Sequence, residues 1–93
     1  MSLYIYIIEC TRKDEILHKI GVTSDLEKRL KNIKTGNPDP VSYSYTEERN
    51  DAYNLEKWLH SQFSNKRLEG EWFKELSTIE IRKKIFQYNN FDF

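Results

Sequence analysis

Leu3-Tyr4-Ile5-Tyr6-Ile7-Ile8, answered after a polar connection by Leu17-His18-Lys19-Ile20-Gly21-Val22, decides the fold of this chain. Both runs are rich in β-branched and aromatic residues, which favour the pleated, half-buried setting of a strand. The polar residues Thr11 to Glu15 predict the connection of a hairpin. Side chains alternate across a strand, so Leu3, Ile5 and Ile7 share one face and Tyr4, Tyr6 and Ile8 share the other. Ile20 and Val22 match the aliphatic face of the first run. Lys19 and Gly21 therefore join the tyrosines, in a register that one residue of slip would undo.

Outward from the hairpin, Ser24-Asp25-Leu26-Glu27 reads as a capping box opening a helix. That helix shows Leu26, Leu30 and Ile33 at helical spacing, with Arg29 on the border of the stripe, placed to lie along the sheet. Thr35-Gly36-Asn37-Pro38-Asp39-Pro40 ends it. Val41, Tyr43 and Tyr45 alternate with Ser42, Ser44 and Thr46 as a third strand. Asn50 or Asp51 caps a second helix that buries Ala52, Leu55, Leu59 and Phe63. Glu56 projects about 40° from Ala52, on the edge of the buried stripe, where a carboxylate needs a partner or a cation. His60 follows one turn later on the same side. Gly70-Glu71-Trp72-Phe73 reads as a tight element setting an aromatic pair into the core. Ser77 opens a last helix carrying Ile81 and Ile85 with the basic trio Arg82, Lys83 and Lys84. The architecture expected is α+β: a small three-stranded antiparallel sheet flanked by about three helices, in a single domain spanning 1–93.

Fifteen basic and fifteen acidic residues leave no net charge, which excludes a strongly basic nucleic-acid coat. Charge is uneven, however: Lys28, Arg29, Lys31 and Lys34 crowd one stretch, either as a solvated helix face or as a phosphate track. Cys10 is the lone cysteine, so no intrachain disulfide forms and a reducing, cytoplasmic setting is expected. Met1 to Tyr4 carries no secretory pattern, and no run approaches the ~20 apolar residues of a membrane span. His18, His60 and Cys10 are too few for a zinc cluster. No nucleophile motif surrounds a serine or Cys10, and no glycine-rich phosphate loop is present. What the strands and first helix do assemble is a tyrosine, a lysine and an arginine, a set suited to a phosphodiester.

Tyr4-Ile5-Tyr6, Lys19-Ile20-Gly21, Arg29 eight residues beyond that glycine, and Glu56 on a later helix together resemble the GIY-YIG endonuclease superfamily. More closely, the chain resembles a branch common in phage and mobile elements that reads Lys-Ile-Gly-Val-Thr, here Lys19 to Thr23. Thr35 to Pro38, Leu55-Glu56-Lys57 with His60, and Gly70 to Phe73 extend the likeness over residues 3 to 76. Tyr4 replaces the first glycine of the usual pattern, Lys19 the tyrosine of the second motif, and Ile33 the histidine four residues after the arginine.

The resemblance implies metal-dependent hydrolysis of DNA, with RNA left open. Tyr6 is then the base, and a phenol of pKa about 10 needs help in that role. Lys19 is expected to favour the phenolate by its charge. Arg29 is expected to stabilise the non-bridging oxygens, and Glu56 to hold Mg2+ or Mn2+. His60 orients a ligand or donates a proton, Lys28, Lys31 and Lys34 meet phosphates, and Tyr4 and Tyr43 line the groove. A chain this small reaches few base edges, so weak sequence preference or a targeting partner is expected; cutting two strands calls for two active sites, which leaves a homodimer open. Two other readings stay open. One is a module of the same fold that grips nucleic acid without cutting it. The other is a protein-interaction domain with Trp58 and the exposed aromatics as its surface.

Overall fold

A computed structural model describes residues 2–90; residue 1 and residues 91–93, the ends of the expected 1–93 domain, lie outside the described residues. The elements run β1 (Tyr4–Arg12), β2 (Glu15–Thr23), α1 (Leu26–Thr35), β3 (Val41–Glu48), α2 (Ala52–Gln62), β4 (Trp72–Phe73) and α3 (Thr78–Asn89), with a 3-10 turn at Ser64–Lys66. The strands form one antiparallel sheet in the order β3-β1-β2-β4. The class is α+β as expected, but among the described residues the sheet has four strands and not three. The extra strand is Trp72–Phe73, which pairs with Lys19 and His18. Two residues show no period-two pattern, and a long-range pairing leaves no local trace, so this strand is invisible in the sequence.

The hairpin register places Tyr6 opposite Gly21, Ile7 opposite Ile20 and Ile8 opposite Lys19. The expected five-residue connection is shorter than the polar run suggested, since the ladder continues to Arg12 and resumes at Glu15. Lys13 takes a left-handed φ of 51° to close the turn. Polar residues at an exposed hairpin end read as loop although their backbones stay paired.

The sheet separates two apolar clusters. On one face Ile5, Ile7, Ile20 and Val22 pack against Leu55 and Leu59 of α2, Ile81 and Ile85 of α3, and Phe73. On the other, Tyr6, Ile8, Cys10, Leu17 and Val41 are covered by Leu26, Leu30 and Ile33 of α1, with Tyr43 and Trp72. Both clusters follow the alternation read from the hairpin. Trp58 is half-buried against the first cluster with its ring 5.2 Å from Tyr88, a packing position.

The caps are partly as expected. Asp25, not Ser24, caps α1, its carboxylate accepting from the Lys28 N–H at 3.0 Å. Asp51 stands at the cap of α2 without capping through its side chain. Its carboxylate is instead taken by Arg49 at 2.7 and 2.9 Å, and that bond holds its pKa below the usual carboxylate range. Ser77 caps α3 as read, accepting from the Glu80 N–H at 3.1 Å. Among the described residues, no helix is long and apolar enough to cross a membrane.

Candidate active site

The site forms because β4 is so short. It covers β2 only at His18 and Lys19, and the next residue outward, Ile20, finds other partners. The Ile20 N–H donates to the Glu71 carbonyl at 3.3 Å, and the Ile20 carbonyl accepts from His60 Nε2 at 2.9 Å. A backbone carbonyl can only accept, so Nε2 carries the proton and the other ring nitrogen, Nδ1, is bare in the neutral ring. The open edge of β2 thus draws α2 and the segment before β4 together.

Glu56 and His60 stand four residues apart on α2 and share one face of it. Glu71 arrives from the chain entering β4. One oxygen of each carboxylate and one nitrogen of His60 lie within 4.8 Å of one another. Lys19 reaches Glu71 at 3.2 Å and lies 5.4 Å from the centre of the Trp72 ring. From across the sheet surface, Arg29 Nη1 donates to Tyr6 Oη at 3.5 Å. Tyr6, Lys19, Arg29, Glu56 and His60 therefore meet at one end of the hairpin, on either side of the β2 edge.

Gly21 makes this arrangement possible. A Cβ built on it would lie 2.4 Å from Tyr6 Oη and 2.5 Å from Cζ, so the phenol rests on bare backbone. Tyr6 is fully buried, and the Tyr43 ring meets it edge-on at 5.6 Å between centroids. Tyr43 in turn donates its hydroxyl to the Leu26 carbonyl at 2.7 Å. It ties α1 to the sheet over Tyr6, where the sequence suggested a residue lining a groove. Tyr4 is half-buried at the opening of β1, opposite Thr23 and Glu48. Lys28, Lys31 and Lys34 are exposed on α1 and take no part in the central cluster.

The electrostatics correct one expectation. Lys19 spends its charge on Glu71 and is absent from the influences on Tyr6. Burial, and then the negative charge of Glu71, push the Tyr6 hydroxyl up to about 12 against the pull of Arg29. Neutral phenol is the resting form.

Glu56 is pushed up to about 7, first by burial, then by a hydrogen bond to Glu71 and that residue's charge, with Lys19 and Arg29 opposing. A carboxyl with a raised folded-state pKa favours folding while protonated, and loses that contribution as pH rises through the folded value. Without metal, the protein is therefore expected to lose stability as pH climbs from about 4.5 to just above 7. Denaturant titrations in chelator across that range should show the loss, and Glu56→Gln should flatten it.

Glu71 is the residue that sequence reasoning missed. It sits one position before a two-residue strand, inside a run read for its aromatics. The signal available was the pair of acids Glu56 and Glu71 flanking one helix and one turn, which becomes meaningful only once β4 is paired with β2.

Residues 3–88 match the family model described as the T5orf172 domain, a GIY-YIG-like, endonuclease-like fold. No curated protein and no solved structure matches the chain.

Proposed function

The chain belongs to the T5orf172 domain family, and on that premise we propose that it is a divalent-metal-dependent endonuclease acting on DNA phosphodiesters. The family points to a nuclease-like, nucleic-acid-binding module. The observation that carries the finer reading is the meeting of Tyr6, Lys19 and Arg29 with Glu56 at the β2 edge. Two carboxylates and an imidazole gather there, and one of the carboxyls is pushed up to about 7, first by burial and then by the other carboxylate. That fits Mg2+ or Mn2+, with Glu56 as the central ligand. Such an ion supplies Lewis-acid stabilisation of charge on the phosphoryl and leaving oxygens.

The chain's own groups divide the remaining tasks. Arg29 offers a planar fork to the non-bridging oxygens, where charge grows in the transition state. In the resting state one nitrogen of that fork, Nη1, donates to Tyr6 Oη at 3.5 Å, so a phosphate that draws the guanidinium away frees the phenol oxygen of that bond. Once its own proton has passed to solvent, Tyr6 Oη as phenolate is the group to take a proton from the attacking water. The Glu71 charge that helps hold its proton in place must first be neutralised. Lys19 sits beside both Glu71 and the Trp72 face, within reach of a neighbouring phosphate. Lys28, Lys31 and Lys34 extend the positive surface along α1.

Supercoiled plasmid incubated with the protein and Mg2+ or Mn2+ tests the reading: nicking that stops in chelator supports it, and intact plasmid with folded protein overturns it. Arg29→Lys separates charge from geometry. It keeps the cation but loses the bidentate fork, and nicking is expected to fall by about 10²-fold or more. Near wild-type rates in that variant would mean that Arg29 acts only as a point charge.

One observation favours the second reading, a module that binds without cutting. Tyr6 is buried and its hydroxyl stands near 12, a poor starting point for a base. Such a module would retain salt-sensitive DNA binding and show no nicking at any metal concentration. For the protein-interaction reading, Trp58 is half-buried against the core and Tyr88, while Tyr53 and Phe86 stay exposed.

A further inference from the structure

We propose that Glu56, His60 and Glu71 form one mixed nitrogen–oxygen site for a first-row transition cation of the Mn2+ class, in preference to Mg2+. The inference rests on the metal-dependent reading above for the use of the ion, while the ligand set stands on geometry. Glu56 and His60 lie one turn apart on α2, a rigid platform, and Glu71 is delivered opposite them by the pairing of β4 with β2. One ring nitrogen of His60 and one oxygen each of Glu56 and Glu71 lie within 4.8 Å of one another. A six-coordinate cation with ligands at ~2.1 Å brings neighbouring donors to ~3 Å apart, a closure that side-chain rotation alone can supply.

His60 carries most of the argument. Its Nε2–H is fixed on the Ile20 carbonyl at 2.9 Å, which sets the tautomer and leaves Nδ1 with its lone pair. Ligating histidines characteristically give their other N–H to a carbonyl or carboxylate in this way. The Phe73 ring meets the imidazole edge-on at 5.0 Å and restrains its plane. A histidine serving only to cap the Ile20 carbonyl would not need two carboxylates gathered beside it. An imidazole donor also changes the choice of ion. Mg2+ prefers oxygen and holds its waters, whereas Mn2+ and the ions beyond it accept nitrogen. Glu71 gives the site its second negative charge, and Lys19 is the partner it must exchange for the cation.

The test is direct binding by the full chain, read from the free Mn2+ electron-spin signal and by calorimetry with Mn2+ or Mg2+ alone. Wild type is expected to bind Mn2+ about tenfold tighter than Mg2+ or more. Glu71→Gln should weaken Mn2+ binding by about tenfold or more. His60→Gln, which can still donate an N–H to the Ile20 carbonyl, should weaken Mn2+ and remove the preference over Mg2+. Circular dichroism and thermal unfolding of each variant identify any that fail to fold. Folded variants that bind Mn2+ like wild type, or equal wild-type affinity for the two ions, overturn the proposal. Tight, selective Mn2+ binding with no nicking supports the tripod while overturning the nuclease reading. Nicking by variants with unchanged Mn2+ affinity does the reverse, leaving the nuclease on Glu56 alone.

Discussion

Gly21→Ala is expected to destabilise the protein by about 2–4 kcal/mol and to displace Tyr6 from Arg29. The new methyl carbon would stand 2.4 Å from Tyr6 Oη, 2.5 Å from Cζ and 3.0 Å from Cε2, all well inside van der Waals contact. A flexible side chain would swing aside at little cost, but Tyr6 cannot. It is fully buried, held edge-on by Tyr43, whose own hydroxyl is tied to the Leu26 carbonyl, and covered by the α1 residues Leu26 and Leu30. Relief must come from separating α1 from the sheet or from opening the hairpin near its open end, where Tyr6 faces Gly21. A loss of this size would lower the melting temperature by roughly 8–30 °C for a domain of about 90 residues. The clash has a named partner, so it can be checked by a double-mutant cycle. In a Tyr6→Leu background the shorter side chain leaves room for the methyl, and the cost of Gly21→Ala should fall by at least about 1 kcal/mol. If alanine costs the same in both backgrounds, Gly21 is required for backbone reasons and not as the floor beneath the phenol.

This dependence shows why the hairpin was legible. Alternation of Ile5 and Ile7 with Tyr6, matched to Ile20 and Val22, allows one register that buries all four of those aliphatic side chains. That same register forces Tyr6 over the one residue without a side chain. Arg29 was legible for a related reason, since Leu26, Leu30 and Ile33 fix the rotation of α1 and leave position 29 at the sheet surface. Glu56 was legible as a carboxylate on the edge of an apolar stripe. Local patterns stop there. The fourth strand, Trp72–Phe73, owes its place to Lys19 and His18, which lie more than fifty residues earlier, and its two residues carry no periodicity. Glu71 therefore went unseen, along with the ion pair that removes Lys19 from its expected role beside Tyr6. The proton affinity of Tyr6 was equally out of reach. It depends on burial and on the charge of Glu71, both products of the assembled fold. Ser24 and Asp25 are both good capping residues one position apart, a distinction that propensity alone does not make.

Glu56→Gln is expected to end metal-dependent nicking while leaving the protein as stable as wild type, or more stable, in chelator at pH 8. The two effects have one cause. Burial, then a hydrogen bond to Glu71 and that residue's negative charge, push the Glu56 carboxyl up to about 7 in the absence of metal. Above that pH the wild-type fold holds an ionised Glu56 against an ionised Glu71, an arrangement that costs stability. Glutamine cannot ionise, and its amide N–H can donate to Glu71 as the protonated acid does. The repulsion disappears and the hydrogen bond stays. For catalysis the exchange is the opposite: an amide oxygen is a far weaker ligand for a divalent cation than a carboxylate. Nicking is expected to fall by about 10³-fold or more, since the ion is asked to supply several kcal/mol of charge stabilisation. A carboxylate with a purely structural role, pairing with Lys19 or Arg29, predicts something different. Its replacement would lower stability at pH 8, and activity would fall only as far as the folded fraction falls. Measuring both quantities on one preparation separates these cases: activity lost with stability kept or gained places Glu56 in the reaction, and activity and stability lost in proportion removes it. Folded Glu56→Gln that nicks plasmid at the wild-type rate would sink the metal-centred assignment altogether.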